Sequence, residues 1–132
     1  MPNSPIIRDV MTSYPYFIDI NAYVNSAKVM LTQYKLRHLP VKQDNEIVAL
    51  IGLRDIEKAE LHGVDTSIGT NTTVKDICVA APLLVEPDTP LKEVLEKMAE
   101  KHIECVLVAS DHHLEGIMTT TDICRQYANL LD

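Results

Sequence analysis

The chain has no tryptophan, one phenylalanine and five tyrosines in 132 residues. With so few rings, an interior must rest on Leu, Ile, Val and Met, and a hydrophobic content of 46% is ample for a globular fold. Positive charge is also scarce: 12 Lys and Arg stand against 19 Asp and Glu, a net charge of −7. That argues against a nucleic-acid or anionic-membrane surface, which needs clustered basic residues, though one local basic pocket stays open. No apolar run approaches the roughly 20 residues of a membrane span. Met1-Pro2-Asn3-Ser4-Pro5 lacks the basic stretch and apolar run of a signal peptide. The three cysteines, Cys78, Cys105 and Cys124, are odd in number, confined to the second half and without framework spacing. They fit a reducing, cytoplasmic setting. There is no Gly-rich phosphate loop, nucleophile elbow or HExxH, and no nucleophile–base pair at a recognisable spacing, so no enzyme is expected.

What the chain does have is an internal repeat. A shift of 67 residues places Asp55-Ile56 on Asp122-Ile123, Asp9 on Asp76, Pro15 on Pro82, Val41 on Val108 and Asp44 on Asp111, without a gap. Residue types follow where identities fail: Ile18 meets Val85, Leu36 meets Ile103, Leu39 meets Val106 and Ile47 meets Leu114. A fixed period that occurs twice gives a tandem pair. Repeats of this size bury too little surface to stand easily alone, so a shared core is expected.

Each repeat reads as strand, helix, strand, strand, helix. In the first, a turn over 6–11 precedes a strand at Tyr16-Phe17-Ile18. Asn21 is placed to cap a helix with Val24, Ala27, Leu31 and Tyr34 on one stripe. Pro40 argues against continuing that helix. Strands 38–42 and 47–51 meet at a turn through Asp44-Asn45, and a helix over 55–61 ends at Gly63. The polar stretch from Gly63 to Asn71 is the linker, giving repeats over 1–65 and 73–132 joined by 66–72. In the second repeat a turn over 73–78 and a strand at 83–85 precede a helix with Thr89 as cap and Pro90 at its first position. Leu91, Val94, Leu95 and Met98 form its stripe. Strands 105–109 and 114–119 and a closing helix over 121–131 follow. The implied fold is α/β, two pseudo-symmetric repeats packed sheet to sheet.

The segment Gly116-Ile117-Met118-Thr119-Thr120-Thr121-Asp122-Ile123 ends a strand in three hydroxyls and delivers a carboxylate to a helix start. Two readings are open. Free amides at a helix N-terminus accept anions, hydroxyls add hydrogen bonds to phosphate, and a carboxylate suits a vicinal diol, which together make half a nucleotide site. Alternatively, Thr121 or Asp122 simply caps the helix. Asp111-His112-His113 reads as a turn and not a metal site, because Asp111 aligns with Asp44 and no partner ligands share its spacing.

In Asp9-Val10-Met11-Thr12, in Leu36-Arg37-His38-Leu39-Pro40-Val41 and in Glu115 to Ile123, in that order, the chain resembles a tandem pair of cystathionine β-synthase (CBS) domains, a Bateman module, over about residues 6–129. The resemblance implies a regulatory module without catalysis or a required cofactor. Its regulatory ligand would be an adenosine-containing nucleotide, of the AMP, ADP, ATP or S-adenosylmethionine type, in the cleft between the repeats. Carried over by motif, Asp122 would hold the ribose, with Thr119 and Thr121 near ribose and phosphate and Ile117 as apolar wall. Leu36, Arg37 and His38 would come from the first repeat, with Met11 and Tyr16 nearby. At the related site Asp55 is in place, but Gly52 stands where Thr119 does and Leu53-Arg54 replace Thr120-Thr121. Arg54 either binds phosphate or sits in solvent, and Glu104 stands where Arg37 does. A weaker or empty second site at Arg54 and Asp55 follows. The resemblance also implies a homodimer, through helices over 22–34 and 90–102 and the closing helices, and an unidentified effector protein. A ligand-free dimerisation or protein-interaction module is the alternative.

Overall fold

A computed structural model describes residues 4–132. In chain order the elements are a 3₁₀ turn (Ile7–Asp9), β1 (Thr12–Ser13), β2 (Ile18–Asp19), α1 (Val24–Gln33), β3 (His38–Gln43), β4 (Glu46–Gly52) and α2 (Leu53–Leu61). A second 3₁₀ turn (Val74–Asp76), β5 (Leu84–Val85), α3 (Leu91–Lys101), β6 (Cys105–Ser110), β7 (His113–Thr119) and α4 (Thr120–Asn129) complete them. The chain is thus α/β, with one sheet ordered β2-β3-β4 and the other β1-β7-β6-β5. No helix of the described residues is long and apolar enough to cross a membrane.

The two compact units do not coincide with the two repeats. One unit is Tyr16–Ala81, and the other combines Met1–Pro15 with Pro82–Asp132. Each repeat gives its opening turn to the unit built by the other. In the Tyr16–Ala81 unit, Val74 and Ile77 join Val24, Ala27, Leu31, Leu39, Val41, Ile51 and Ile56 in the core. Val74 N–H donates to the Ala22 carbonyl at 2.9 Å and Lys75 N–H to that of Ile20 at 3.0 Å. A reciprocal Leu50–Val79 backbone pair, 2.8 Å in both directions, extends the sheet beyond β4. In the other unit Ile7, wholly buried, packs with Val94, Met98, Val106, Val108 and Met118. Ile7 N–H donates to the Thr89 carbonyl at 2.9 Å, and β1 runs antiparallel to β7 with Thr12 opposite Ile117.

The cores are aliphatic, as the composition implies, and all six aromatic side chains are exposed. Both hairpins use the same two-residue turn. Asp44 and Asn45 have φ of 52° and 66°, and Asp111 and His112 have 49° and 64°. Left-handed φ at both turn positions matches the right-handed twist of the strands, and short Asp and Asn side chains tolerate it. Both hairpins also shift register at the same place, between Val41 and Lys42 and between Val108 and Ala109. Pro40 lies in β3 but outside the two-residue β2 ladder, so its missing N–H interrupts no pairing there.

Four details differ from the sequence reading. The first strand is Ile18–Asp19 rather than 16–18, because Tyr16 stacks on Tyr34 with ring centroids 4.1 Å apart. Tyr34 therefore leaves the buried stripe and closes α1 as its C-cap. Asn21 does not cap α1, whose N-cap is Tyr23; the Asp19 carboxylate accepts the Asn21 N–H at 2.8 Å instead. Thr89 does not cap α3, which starts at Leu91 with Pro90 as N-cap. Ahead of the second opening turn, Thr66 is the one buried polar residue among those described. Its hydroxyl donates to Glu60, which also takes Lys28 Nζ at 3.1 Å, so a helix–helix ion pair secures the linker. The Thr66 hydrogen bond first, then Lys28, holds the Glu60 carboxyl below its usual range.

Candidate functional site

The end of β7 and the start of α4 form one hydrogen-bonded box. Thr119, in extended conformation at φ −116° and ψ 165°, is the N-cap of α4. Asp122 Oδ2 accepts the Thr119 N–H at 2.9 Å and its hydroxyl at 3.0 Å, and Thr119 Oγ1 lies 3.3 Å from the Asp122 N–H. This is a capping box, in which cap and third helical residue satisfy each other's donors. The capping reading is therefore realised, but by Thr119 and Asp122 and not by Thr121, which is exposed in the first turn. The Thr120 N–H is taken by the Glu104 carbonyl at 3.0 Å. Thr121 N–H is then the first-turn donor with no acceptor in its own helix.

Asp122 divides its two oxygens. Oδ2 is committed to the cap, while Oδ1 faces Arg125 Nη1 at 3.7 Å, with the carboxylate 21% exposed and the guanidinium 68% exposed. Cys105 lies opposite Thr119 in the β6–β7 ladder and is buried. Burial first, and then the charge of Asp122, pushes its thiol up to about 12, so it stays protonated at neutral pH. Cys124 lies exposed on α4. A thiol reagent at pH 7.5 should therefore modify Cys124 in the folded protein and Cys105 only after unfolding. Rapid labelling of Cys105 in the native state would contradict this burial.

The exchange of opening segments sorts the sequence candidates. Met11, Ile117, Thr119, Thr121 and Asp122 fall in one unit; Tyr16, Leu36, Arg37, His38, Arg54 and Asp55 fall in the other. Met11 belongs with Asp122 because its side chain packs on Gly116, where a Cβ would collide with Sδ. Ile117 is buried in β7 between Thr12 and Leu107. In the other unit Leu36 is half-buried against the core, Arg37 and Arg54 are exposed, and Tyr16 is held in its stack with Tyr34.

At Asp55 the box is only half made. Asp55 Oδ2 accepts the Gly52 N–H at 2.8 Å, but glycine offers no hydroxyl in return. A Cβ at Gly52 would lie 2.8 Å from the Arg37 carbonyl oxygen and 3.1 Å from His38 Cδ2. The Arg37 carbonyl is the tighter limit, and the cross-strand pairing adds to it. His38 faces Gly52 across the β3–β4 ladder, as Cys105 faces Thr119 across β6–β7. Large ring with glycine, and small thiol with threonine, are alternative fillings of one position. The same carboxylate-to-cap bond recurs at both 3₁₀ turns, from Ile6 N–H to Asp9 at 2.9 Å and from Thr73 N–H to Asp76 at 2.8 Å. Sequence reading missed Arg125; its place three residues after Asp122 on a helix was the available signal. No group of three or more His, Cys, Asp or Glu among the described residues could hold a metal ion. Asp111 and His112 form the turn of the second hairpin.

The CBS domain model matches residues 7–62 and 74–129. The A-adding tRNA nucleotidyltransferase of Geobacter sulfurreducens is 28% identical over 117 residues, 89% of this chain and 13% of that protein. The chain thus spans a small part of the curated relatives it matches. Among solved structures, a putative acetoin utilization protein (AcuB) from Vibrio cholerae is 25% identical with a TM-score of 0.86, covering 98% of this chain and 94% of that one. The CBS domain pair of protein MJ0100, in complex with 5′-methylthioadenosine and S-adenosyl-L-methionine, is 25% identical with a TM-score of 0.80, covering 93% and 99%.

Proposed function

The chain belongs to the CBS domain family, as a tandem pair, and from that premise we propose that it is a regulatory module that binds an adenosine-containing ligand and has no catalysis of its own. The observation that carries this reading is the divided carboxylate of Asp122. One oxygen is fixed by the cap, so the other, which meets only the exposed Arg125 guanidinium at 3.7 Å, is pre-oriented to accept a ribose diol at little entropic cost. Thr121 N–H and hydroxyl lie one residue away for an anionic group. The ligands of the MJ0100 pair, both adenosine compounds, are in keeping with this chemistry. Leu36, Arg37 and His38, with Met11 and Tyr16, are our candidates for the remaining contacts, and Asp55 with Arg54 for a weaker second site.

A second reading has an observation of its own. Asp9, Asp55 and Asp76 make the same bond to a cap N–H, so Asp122 is explained without any ligand. α4 has no fully buried residue, and beyond Ile123, which packs against the core, Tyr127, Leu130 and Leu131 are exposed. A second copy covering them would make the chain a dimerisation or protein-interaction module. A homodimer is compatible with both readings, as is an effector protein. Three free cysteines suit a cytoplasmic location.

Thermal unfolding against AMP, ADP, ATP and S-adenosylmethionine, with Asp122→Ala alongside, separates the readings. A ligand at about 100 times its Kd should add roughly 2.7 kcal/mol of stability. That gain should vanish in Asp122→Ala. Silence from all four ligands in the wild-type protein would leave the dimerisation module.

A further inference from the structure

We propose that the opening segment Pro5–Ser13 exchanges between two copies of the chain, hinged at Tyr14-Pro15, so that Ile7 and Met11 of one copy complete the unit of the other. The inference does not depend on the nucleotide reading. It starts from one backbone angle. Seven non-glycine residues among those described have positive φ, and six of them form pairs 67 residues apart: Lys35 with His102, Asp44 with Asp111 and Asn45 with His112. Those pairs sit where left-handed φ is expected, at helix ends and in the hairpin turns. Tyr14, at φ 50°, has no mate: Ala81, which aligns with it ahead of Pro82, is not left-handed. A bulky residue before proline is poorly suited to that angle. The Tyr14 side chain is 87% exposed, so its own packing does not offset the strain.

The segment ahead of this hinge docks on residues 87–118. Leu91 N–H donates to the Pro5 carbonyl at 2.9 Å, Ile7 N–H to that of Thr89 at 2.9 Å and Arg8 N–H to that of Pro87 at 3.1 Å. Thr12 and Ser13 pair with Ile117 and Gly116, Ile7 is wholly buried, and Met11 packs on Gly116. A second copy offers the same groove, so exchange keeps every one of these contacts and alters only the hinge and the association entropy. In the closed chain the four residues from Tyr14 to Phe17 must lead from the end of β1 to the start of β2, with Tyr14 left-handed. Short strained hinges favour exchange, because an extended hinge releases the strain. Exchange also makes the surroundings of Asp122 common to two copies, since Met11 packs on the strand that runs into Thr119.

Native mass spectrometry of the full chain, refolded from denaturant at low and at high concentration, tests this. A dimer that grows with concentration is expected. Light and isotopically heavy chains refolded together should give mixed dimers. Dimers refolded apart and then combined should stay unmixed until the unit opens, since the segment must first undock. Tyr14→Gly accepts the left-handed angle without strain and should lower the dimer association constant at least about fivefold. Inserting Gly-Gly after Tyr14 should lower it too, by lengthening the hinge. Tyr127→Asp, on the exposed side of α4, should leave it unchanged. Monomer at both concentrations, rapid mixing of preformed dimers, or a Tyr14→Gly dimer as abundant as the wild-type one overturns the assignment. A dimer lost in Tyr127→Asp and kept in Tyr14→Gly identifies a pair joined through α4 and overturns it as well.

Discussion

A fragment spanning Tyr16–Ala81 is expected to melt cooperatively, whereas one spanning 1–65, the first repeat as the sequence delimits it, is expected not to fold. Both have nearly the same length and share α1, β3, β4 and α2. They differ in that the first keeps Val74, wholly buried, and Ile77, nearly so, inside the core they complete. Burying two such side chains contributes about 1.5–3 kcal/mol each. A 65-residue domain has a total stability of only about 3–10 kcal/mol at typical values per residue. Losing both, together with the hydrogen bonds from Val74 and Lys75 to Ala22 and Ile20, removes most of it. The Leu50–Val79 pair goes too and leaves β4 without that neighbour. In exchange the 1–65 fragment carries Ile7, whose packing partners Val94, Met98 and Val106 it lacks. Circular dichroism melts of the two fragments check this. A 1–65 fragment that melts as steeply as Tyr16–Ala81 would mean that the opening turns are dispensable ornaments of each core.

That exchange of openings was not legible in the sequence, and the reason is physical. The 67-residue shift reports that Asp9 and Asp76 play the same part, but the shift is equally satisfied whether each opens its own unit or the other's. β1 and β5 are two residues long, too short for a period to register, and β1 is fixed by pairing with Ile117 over a hundred residues away. Elements set by local chemistry were readable. The turns at Asp44 and Asp111, the hairpins around them and the stripe of α3 all depend on neighbours in the chain. The box at Thr119 and Asp122 lay between. The residues were identified, but the cap was assigned to Thr121 or Asp122, while the N-cap is Thr119, which still counts as strand although its side chain already serves the helix. Tyr34 fitted the helical stripe by spacing alone and was drawn out of it by Tyr16, a contact no periodicity records.

Replacing Gly52 by alanine is expected to cost about 1–3 kcal/mol, the usual range for forcing atoms into filled space. Backbone conformation is not the cause, because φ −129° and ψ 168° are open to any residue. The cost comes from the Arg37 carbonyl oxygen, 2.8 Å from the new Cβ, and secondarily from the His38 ring. A main-chain carbonyl just ahead of β3 cannot swing aside as a side-chain end can. Gly52→Thr should therefore destabilise at least as much and fail to rebuild at Asp55 the box seen at Asp122, although it restores the hydroxyl. His38→Cys in that background copies the Cys105–Thr119 pair. It should recover the part due to the ring and leave the part due to the carbonyl, so the double variant falls between Gly52→Thr and wild type. Chemical denaturation of the four proteins gives these differences directly. Should Gly52→Thr prove as stable as wild type and gain a second equivalent of bound nucleotide, the missing hydroxyl would reflect ligand choice. Should it behave as the distances require, the asymmetry between the two boxes is fixed by packing, and Asp55 is confined to whatever a half-made cap can hold.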